Sequence, residues 1–263
     1  MPISKSKTAK IISVTNQKGG VGKTTTTINL AAALSELEKK VLIIDLDPQG
    51  NASTGLGVEV EDRKLSTYEF LVEGIPLEKV AMETEVSGLN IIPATIDLSS
   101  ADIDLISNEK RSHLLYEALR KKEENKQKYD YILIDCPPSL NILTVNAMVA
   151  SHSVLIPLQS EFFALEGLSQ LLLTVKEVRQ TANENLRVEG IVLTMFDGRN
   201  NLSKQVEADA RTNLRELVFK TIIPRNVRVS EAPSYSMPVL TYDPSSKGSK
   251  AYMSLARELL ANN

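Results

Sequence analysis

Apolar runs of strand length alternate along the chain with stretches whose apolar residues recur at helical spacing. The predicted strands lie at residues 11–14, 41–50 (a run that ends in two acids and a turn), 89–93, 129–135, 153–157, 188–196 and 218–223. The predicted helices lie at residues 26–34, 65–72, 98–106, 113–119, 165–178, 204–217 and 248–260, and the charged run at 120–128 is interpreted as a solvated helix end. The spacing of these segments is typical of repeated strand–helix–strand units.

This alternation predicts an α/β fold with a doubly wound, mostly parallel sheet and helices on both faces. The run that starts at Val41 is apolar without alternation, as expected for a parallel strand covered on both sides. We find no internal repeat, low-complexity tract or linker. Residues 1–263 are therefore predicted to be one domain, with residues 1–10 as a flexible lead.

Composition narrows the class of protein. The 263 residues are 42% hydrophobic and 24% charged, values typical of a soluble globular protein with a large core. No apolar run has the length of a membrane span, and the start of the chain lacks the apolar region of a signal peptide, so we expect a cytoplasmic protein without membrane attachment. The one cysteine, Cys136, excludes an internal disulfide and a cysteine-based metal cluster within one chain.

Charge is unevenly distributed. The net charge of −3 argues against a uniformly basic nucleic-acid binder. However, nine Lys or Arg and only five Asp or Glu lie between Arg199 and Lys250. A polyanion responds to charge within a Debye length of about 10 Å, so a local basic face on an acidic body is sufficient to attract one.

A glycine-rich segment follows the first predicted strand and precedes the first predicted helix. It reads Lys18-Gly19-Gly20-Val21-Gly22-Lys23-Thr24-Thr25. Glycines let backbone N–H groups converge on phosphate oxygens, and the start of the helix adds unpaired N–H groups and its positive dipole end. Lys23 is placed to reach the β- and γ-phosphates of a nucleotide, and the Thr24 hydroxyl to bind Mg²⁺.

The segment departs from the usual phosphate-loop spacing, because Gln17 stands where a glycine is expected and a second lysine, Lys18, opens the loop. In this it resembles the deviant Walker A loop of the ParA/MinD family of ATPases. The resemblance implies that Lys18 crosses a dimer interface to touch the partner's nucleotide. ATP would then lie between the two chains of a homodimer, and ATP binding would act as an association switch.

Two acids are the best candidates for the chemistry. Asp135 ends a buried strand and reads as the Walker B acid that orients Mg²⁺ or its water, although an acid at this place could simply cap the next helix. Asp47, in the run Asp45-Leu46-Asp47-Pro48-Gln49, matches the family aspartate that orients the attacking water, and Asp45 ranks below it. The resemblance therefore implies a catalytic set and a metal-binding set. These are Lys18, Lys23, Asp47 and Asp135 for catalysis, and Thr24, Asp47 and Asp135 for the metal.

The resemblance also implies which residues bind the adenine base and which bind DNA. It points to Pro224-Arg225-Asn226 for adenine, with Met195 and Phe196 as the other wall, although a turn proline and a core phenylalanine would give the same pattern. It assigns sequence-independent DNA contacts to Arg199 and Arg228, which both lie in loops after strands. Four further cations could extend that patch or could be ordinary solvated residues: Lys204, Arg225, Lys247 and Lys250.

The resemblance extends from about residue 10 to the end of the chain and is nearest to the ParA/Soj type. It implies an ATPase of weak intrinsic activity that binds the nucleoid as an ATP dimer. It also implies that a ParB-like protein stimulates hydrolysis during segregation of a chromosome or plasmid. The main alternative is a MinD-like membrane-surface ATPase, which needs a basic, bulky amphipathic helix at the C-terminus. A nitrogenase-reductase-like enzyme would need two cysteine ligands per chain, and a ligase would need a substrate pocket that the sequence does not reveal.

Overall fold

The computed structural model describes residues 8–101, 108, 110–120, 128–161 and 163–263. Among these residues, eight strands form one sheet in the order β3-β4-β2-β5-β1-β6-β7-β8. The strands are β1 Lys10–Val14, β2 Val41–Asp45, β3 Met82–Glu83, β4 Leu89–Ile92, β5 Tyr131–Asp135, β6 Ser153–Gln159, β7 Arg187–Phe196 and β8 Val218–Pro224. Every pairing is parallel except that of β3 with β4. The predicted fold class is confirmed.

The α-helices are α1 Lys23–Glu36, α2 Asn51–Gly55, α3 Leu77–Val80, α4 Leu114–Arg120, α5 Ile142–Ala150, α6 Ala164–Thr181, α7 Asn201–Leu214, α8 Val227–Glu231, α9 Val239–Tyr242 and α10 Lys247–Ala261. Short 3₁₀ turns lie at Val60–Asp62, Ile96–Ser100, Arg215–Leu217 and Ala232–Tyr235, and Glu69–Glu73 is a π-helix. The sequence did not predict the short edge strand β3 or helix α5. Much of the stretches predicted at 98–106 and 120–128, and residues 1–7 of the predicted lead, lie outside the described residues, and β1 already begins at Lys10.

Helices cover both faces of the sheet because alternate residues of each central strand point to opposite sides. Ile43 of β2 packs on one face with Leu34 of α1 and Leu255 of α10. Its neighbour Ile44 packs on the other face with Phe70 and Leu115. Both faces of β2 are thus buried, which accounts for its continuous apolar sequence.

The register of the central strands determines where the functional residues meet. Asp135, the last residue of β5, lies level with Val14 of β1 and with Asp45 of β2. The carboxyl ends of these strands therefore form one edge, and the glycine-rich loop that follows β1 begins there. Ligands of open α/β sheets bind at this edge.

Candidate nucleotide-binding site

The loop after β1 leaves a helix N-terminus open. Gly22 precedes α1 with φ 84°, in the left-handed region that glycine adopts without strain. No described side chain caps the first N–H groups of α1, and its first turn contains no acid. A Cβ built on Gly19 or Gly20 meets no atom within 4 Å, so the backbone there is open to a ligand. This is the geometry of an anion cradle.

Contacts from neighbouring strands clamp the loop. The Asn16 side chain donates to Pro157 O at 2.8 Å and accepts from the Lys18 N–H at 3.0 Å. The Thr194 hydroxyl donates to Val21 O at 2.8 Å. Both anchors were missed at the sequence level, since each depends on a pairing between distant parts of the chain.

The two lysines of the loop have different surroundings. Lys23 is buried and its Nζ donates to Lys18 O at 3.0 Å. Burial lowers the pKa of Lys23, although the nearby carboxylates of Asp135 and Asp47 oppose that effect. The Lys18 side chain is partly exposed, and its Nζ lies 2.6 Å from Glu161 Oε2. The ammonium of Lys23 therefore lies inside its own loop, whereas the ammonium of Lys18 is ion-paired with Glu161 outside the loop.

Asp135 is fully buried beneath the loop. Its Oδ1 accepts from the Thr27 hydroxyl at 3.0 Å, while its Oδ2 makes no hydrogen bond among the described residues. Burial, the largest cause, and the neighbouring Asp45 raise the pKa of Asp135, against the hydroxyls of Thr24 and Thr27. A cation beside Oδ2 would satisfy this carboxylate.

These donors fit Mg²⁺. The described residues contain no cluster of three or more His, Cys, Asp or Glu that could hold a metal by themselves. The Thr24 hydroxyl, Asp135 and Asp47 are oxygen donors, and Thr24 and Asp47 line the same cavity. Mg²⁺ keeps several of its waters and needs few protein ligands. The site is therefore suited to this hard cation and not to a metal that requires a full protein cage.

Asp45 and Asp47 have different partners. Asp45 is fully buried, and its Oδ2 accepts from the Ser53 hydroxyl at 2.6 Å and the Ser53 N–H at 2.9 Å. Burial raises the pKa of Asp45. Asp47 begins a turn closed by Gly50 N–H donating to Asp47 O at 2.9 Å, and its Oδ1 accepts from Gln49 N–H at 3.0 Å. Asp45 thus anchors α2, while Asp47 lines the cavity.

The cavity in front of the loop has a volume of about 540 Å³. Its lining includes most residues of the loop between Gly19 and Thr25, the polar side chains of Asp47 and Gln49, and the apolar side chains of Met195, Pro233 and Met237. Pro233 and Met237 were missed at the sequence level. Neither Lys18 nor the predicted adenine segment, residues 224–226, is among the described residues that line this cavity.

The predicted adenine residues lie elsewhere. Pro224 and Phe196 line a separate shallow concavity together with three lysines, Lys220, Lys247 and Lys250. The Arg225 N–H donates to Phe196 O at 3.0 Å. Asn226 Oδ1 accepts from Val229 N–H at 3.3 Å and so caps α8. The adenine assignment stays a prediction, and the structure places Pro224 beside two of the proposed DNA-binding lysines.

The two main DNA candidates are both ion-paired within the chain. Arg199 binds Asp197 through Nε (3.0 Å) and Nη2 (2.8 Å), and this arginine lowers the pKa of Asp197 to about 2. Arg228 Nη1 lies 2.9 Å from Glu231 Oε2, and its Nε lies 3.4 Å from Asp243 Oδ2. The other four candidates, Lys204, Arg225, Lys247 and Lys250, are exposed.

The loop and the sheet edge define a P-loop NTPase of the deviant Walker A type, and comparison with known proteins agrees. Residues 9–188 match the AAA domain family. The chain is 52% identical to the sporulation initiation inhibitor protein Soj of Bacillus subtilis over 253 residues, covering 96% of this chain and 99% of that protein. It is also 52% identical to the chromosome partitioning protein ParA of Caulobacter vibrioides, covering 96% and 94% of the two chains. The chain belongs to the ParA/Soj family.

Solved structures show the same architecture. Cobyrinic acid a,c-diamide synthase of Mycobacterium smegmatis, with bound ADP and magnesium, superposes with a TM-score of 0.82 at 36% identity, covering 96% of this chain and 94% of that one. The cell division ATPase MinD of Pyrococcus furiosus gives a TM-score of 0.80 at 28% identity, covering 97% and 100%. The fold is thus shared by proteins of different functions, and the site must decide between them.

Proposed function

We propose that this chain is a DNA-partitioning ATPase whose substrate is Mg²⁺-bound ATP. The phosphates would occupy the part of the cavity lined by the loop, against the N–H groups of α1 and the ammonium of Lys23. Several relatives of about half identity are named for chromosome partitioning, which supports this role over that of the more distant diamide synthase. The cargo is a chromosome or a plasmid.

The chain's own residues account for hydrolysis. Lys23 and the N–H groups of α1 neutralise charge on the phosphates, and Mg²⁺, when bound through Thr24 and Asp135, withdraws further negative charge from them. Asp47 orients a water molecule toward the terminal phosphorus. The water oxygen bonds to that phosphorus as the bond from phosphorus to the bridging oxygen breaks, and the water gives up a proton, so the products are ADP, phosphate and H⁺. One oriented carboxylate provides weak intrinsic turnover, which a ParB-like partner would stimulate.

The observation that carries the dimer proposal is the position of Lys18. Its main chain forms part of the loop, yet its ammonium is outside the cavity of its own chain and bonded to Glu161. We infer that in an ATP-sandwich homodimer this lysine reaches the nucleotide of the partner. Only the dimer would bring two copies of the Arg199 and Arg228 patch together, so double-stranded DNA would be bound without sequence preference in the ATP state.

Binding to DNA with ATP, with ADP and without nucleotide tests this proposal. We expect a shift of random-sequence DNA with ATP alone, and dimers in sedimentation with a non-hydrolysable analogue. Monomers at saturating analogue would refute it. DNA binding in the ATP state would also support an association of the protein with the nucleoid in the cytoplasm.

The membrane-surface alternative is tested beside it. Among the described residues, no helix has the length and hydropathy to cross a bilayer. Leu255 and Leu259 of helix α10 are buried in the core, so these apolar side chains are not free to enter a membrane surface. Co-sedimentation with anionic liposomes that depends on ATP, in the absence of DNA binding, would favour the MinD-like function.

A further inference from the structure

Arg63 is a buried cation outside the loop, the Walker B strand and the DNA patch. It follows the 3₁₀ turn Val60–Asp62, and only 8% of its surface is exposed. Its Nε and Nη2 donate to Val58 O at 3.1 and 2.7 Å, its Nη1 to Ala94 O at 3.1 Å, and its Nη2 to Thr54 Oγ1 at 2.8 Å. Among the described residues, these acceptors are neutral oxygens and not carboxylates. A buried guanidinium with this arrangement crosslinks separate backbone segments.

The segment directly over this guanidinium is the turn that carries Asp47. Gly50, which closes the turn, has φ 62°, and a Cβ built on it would stand 2.3 Å from Arg63 Nη1 and 3.1 Å from Ala94 O. The turn therefore rests on the guanidinium with no side chain between them. Helix α2 starts at this point, with Thr54 N–H donating to Gly50 O at 2.9 Å. Because Thr54 also accepts from Arg63, the Gly50 end of the turn is linked to the guanidinium through Thr54.

A second set of contacts meets the first at Ala94. Ala94 O accepts from Arg63, and Ala94 N–H donates to the Ser53 hydroxyl at 3.0 Å, which in turn donates to Asp45. The segment just after β4 is thereby linked to Arg63 and, through Ser53, to Asp45, which lies just before the turn. The turn and α2 cannot shift without breaking these bonds, whereas the phosphate loop has its own anchors at Asn16 and Thr194.

We propose that Arg63 is a positioning residue for hydrolysis: it fixes the Asp47–Gly50 turn so that the Asp47 carboxylate faces the cavity. The proposal rests on the function proposed above, in which Asp47 orients the attacking water. Arg63 itself lies behind the turn and acts through it. A displacement of about 1 Å in a catalytic group lowers turnover by up to about 10²-fold, so loss of this support should affect the rate far more than nucleotide binding.

The experiment compares Arg63→Met and Arg63→Lys with the wild type, and uses Lys64→Met at the exposed neighbouring position as the matched control. The measurements are the melting temperature, the Kd of a fluorescent ATP analogue, and kcat at saturating Mg²⁺ and ATP. We expect kcat to fall at least tenfold in Arg63→Met while Kd changes less than twofold. Arg63→Lys keeps the charge but cannot span the acceptors, so it should lose several-fold in kcat and remain folded. Lys64→Met should match the wild type.

Arg63→Lys decides the question if Arg63→Met does not fold. A folded Arg63→Lys variant with wild-type kcat, or one whose kcat and Kd change by the same factor, would overturn the proposal. Failure of the underlying function has a different signature, because Asp47→Ala would then hydrolyse ATP at the wild-type rate. If Asp47→Ala were inactive and Arg63→Lys fully active, the positioning role of Arg63 would be refuted and the role of Asp47 would stand.

Discussion

Lys18 Nζ lies 2.6 Å from Glu161 Oε2, so the lysine that distinguishes this loop is paired at the side of its own cavity. Both side chains are partly exposed, and exposed pairs of this kind contribute only about 0.2–1 kcal/mol. A pair this weak would not prevent Lys18 from moving to the nucleotide of a second chain in the proposed dimer.

We therefore expect Lys18→Ala to separate nucleotide binding from dimerisation. The variant should bind an ATP analogue with a Kd within about twofold of the wild type, because Lys18 is absent from the described lining of its own cavity. It should remain monomeric in sedimentation at saturating analogue. Lys23→Ala serves as the contrast, since it removes the buried ammonium and should weaken nucleotide binding itself. A Lys18→Ala variant that dimerises normally would contradict the trans role.

Asp47→Ala is expected to keep nucleotide binding and dimerisation but to lose hydrolysis. Positioned acid–base groups contribute roughly 10²–10⁴-fold to rates, so we expect kcat to fall at least 10²-fold in steady-state phosphate release. Dimer formation with ATP provides the control for folding. Turnover close to wild type would remove Asp47 from the site.

Asp135→Asn should change stability in a pH-dependent way. Burial and Asp45 raise the folded-state pKa of Asp135, so its contribution to stability is present below the unfolded-state pKa and is lost as pH rises through the folded-state pKa. Above that pKa, the ligand-free wild type contains a buried charge that the variant lacks. Each unit of pKa difference corresponds to about 1.4 kcal/mol, and 1 kcal/mol shifts the melting temperature of a chain of this size by about 2–4 °C.

The melting temperatures of the wild type and the variant, measured at several pH values without nucleotide, test this prediction. The variant should melt higher than the wild type at alkaline pH, and the two should converge near the ordinary Asp pKa of about 3.9. Mg²⁺ with nucleotide should stabilise the wild type more than the variant. A variant that melts lower at alkaline pH would show that the carboxylate is already compensated in the folded chain.

Arg228→Glu is expected to abolish DNA binding while leaving ATP-driven dimerisation intact. Phosphate contacts release counterions, with a slope of about 0.9 per contact in a plot of log affinity against log salt. In Arg228→Gln, which removes the charge without reversing it, loss of one contact per protomer should lower the magnitude of that slope for the dimer by about 1.8. The surface control is Arg179→Glu, at an exposed position on α6. Unchanged DNA affinity at fixed salt would exclude Arg228.

The sequence was most informative where local pattern and position coincide. The glycines of the loop and the acids at the ends of β2 and β5 could be assigned to one site, because parallel strands place their carboxyl ends on the same edge of the sheet. The central strands were predictable since residues such as Ile43 and Ile44 must be apolar on both faces. Arg63, Asn16 and Glu161 could not be found in this way, because each acts through a contact with a residue distant in sequence.

Base recognition shows the same limit. Met195 was assigned to the base from the sequence, and it lines the cavity together with Pro233 and Met237, which the sequence did not single out. Pro224 and Phe196 line the lysine-rich concavity instead. The adenine assignment of residues 224–226 stays a prediction, and the local sequence gave no sign that Pro233 lines the cavity in front of the loop.

Arg228 and two cavity-lining residues, Pro233 and Met237, lie within ten consecutive positions of the chain. If the proposed function holds, substitutions in that stretch would change nucleotide binding and DNA binding together. Under the proposed function, DNA binding alone would be changed by substitutions of Lys247 and Lys250 on α10, which line the second concavity and not the first.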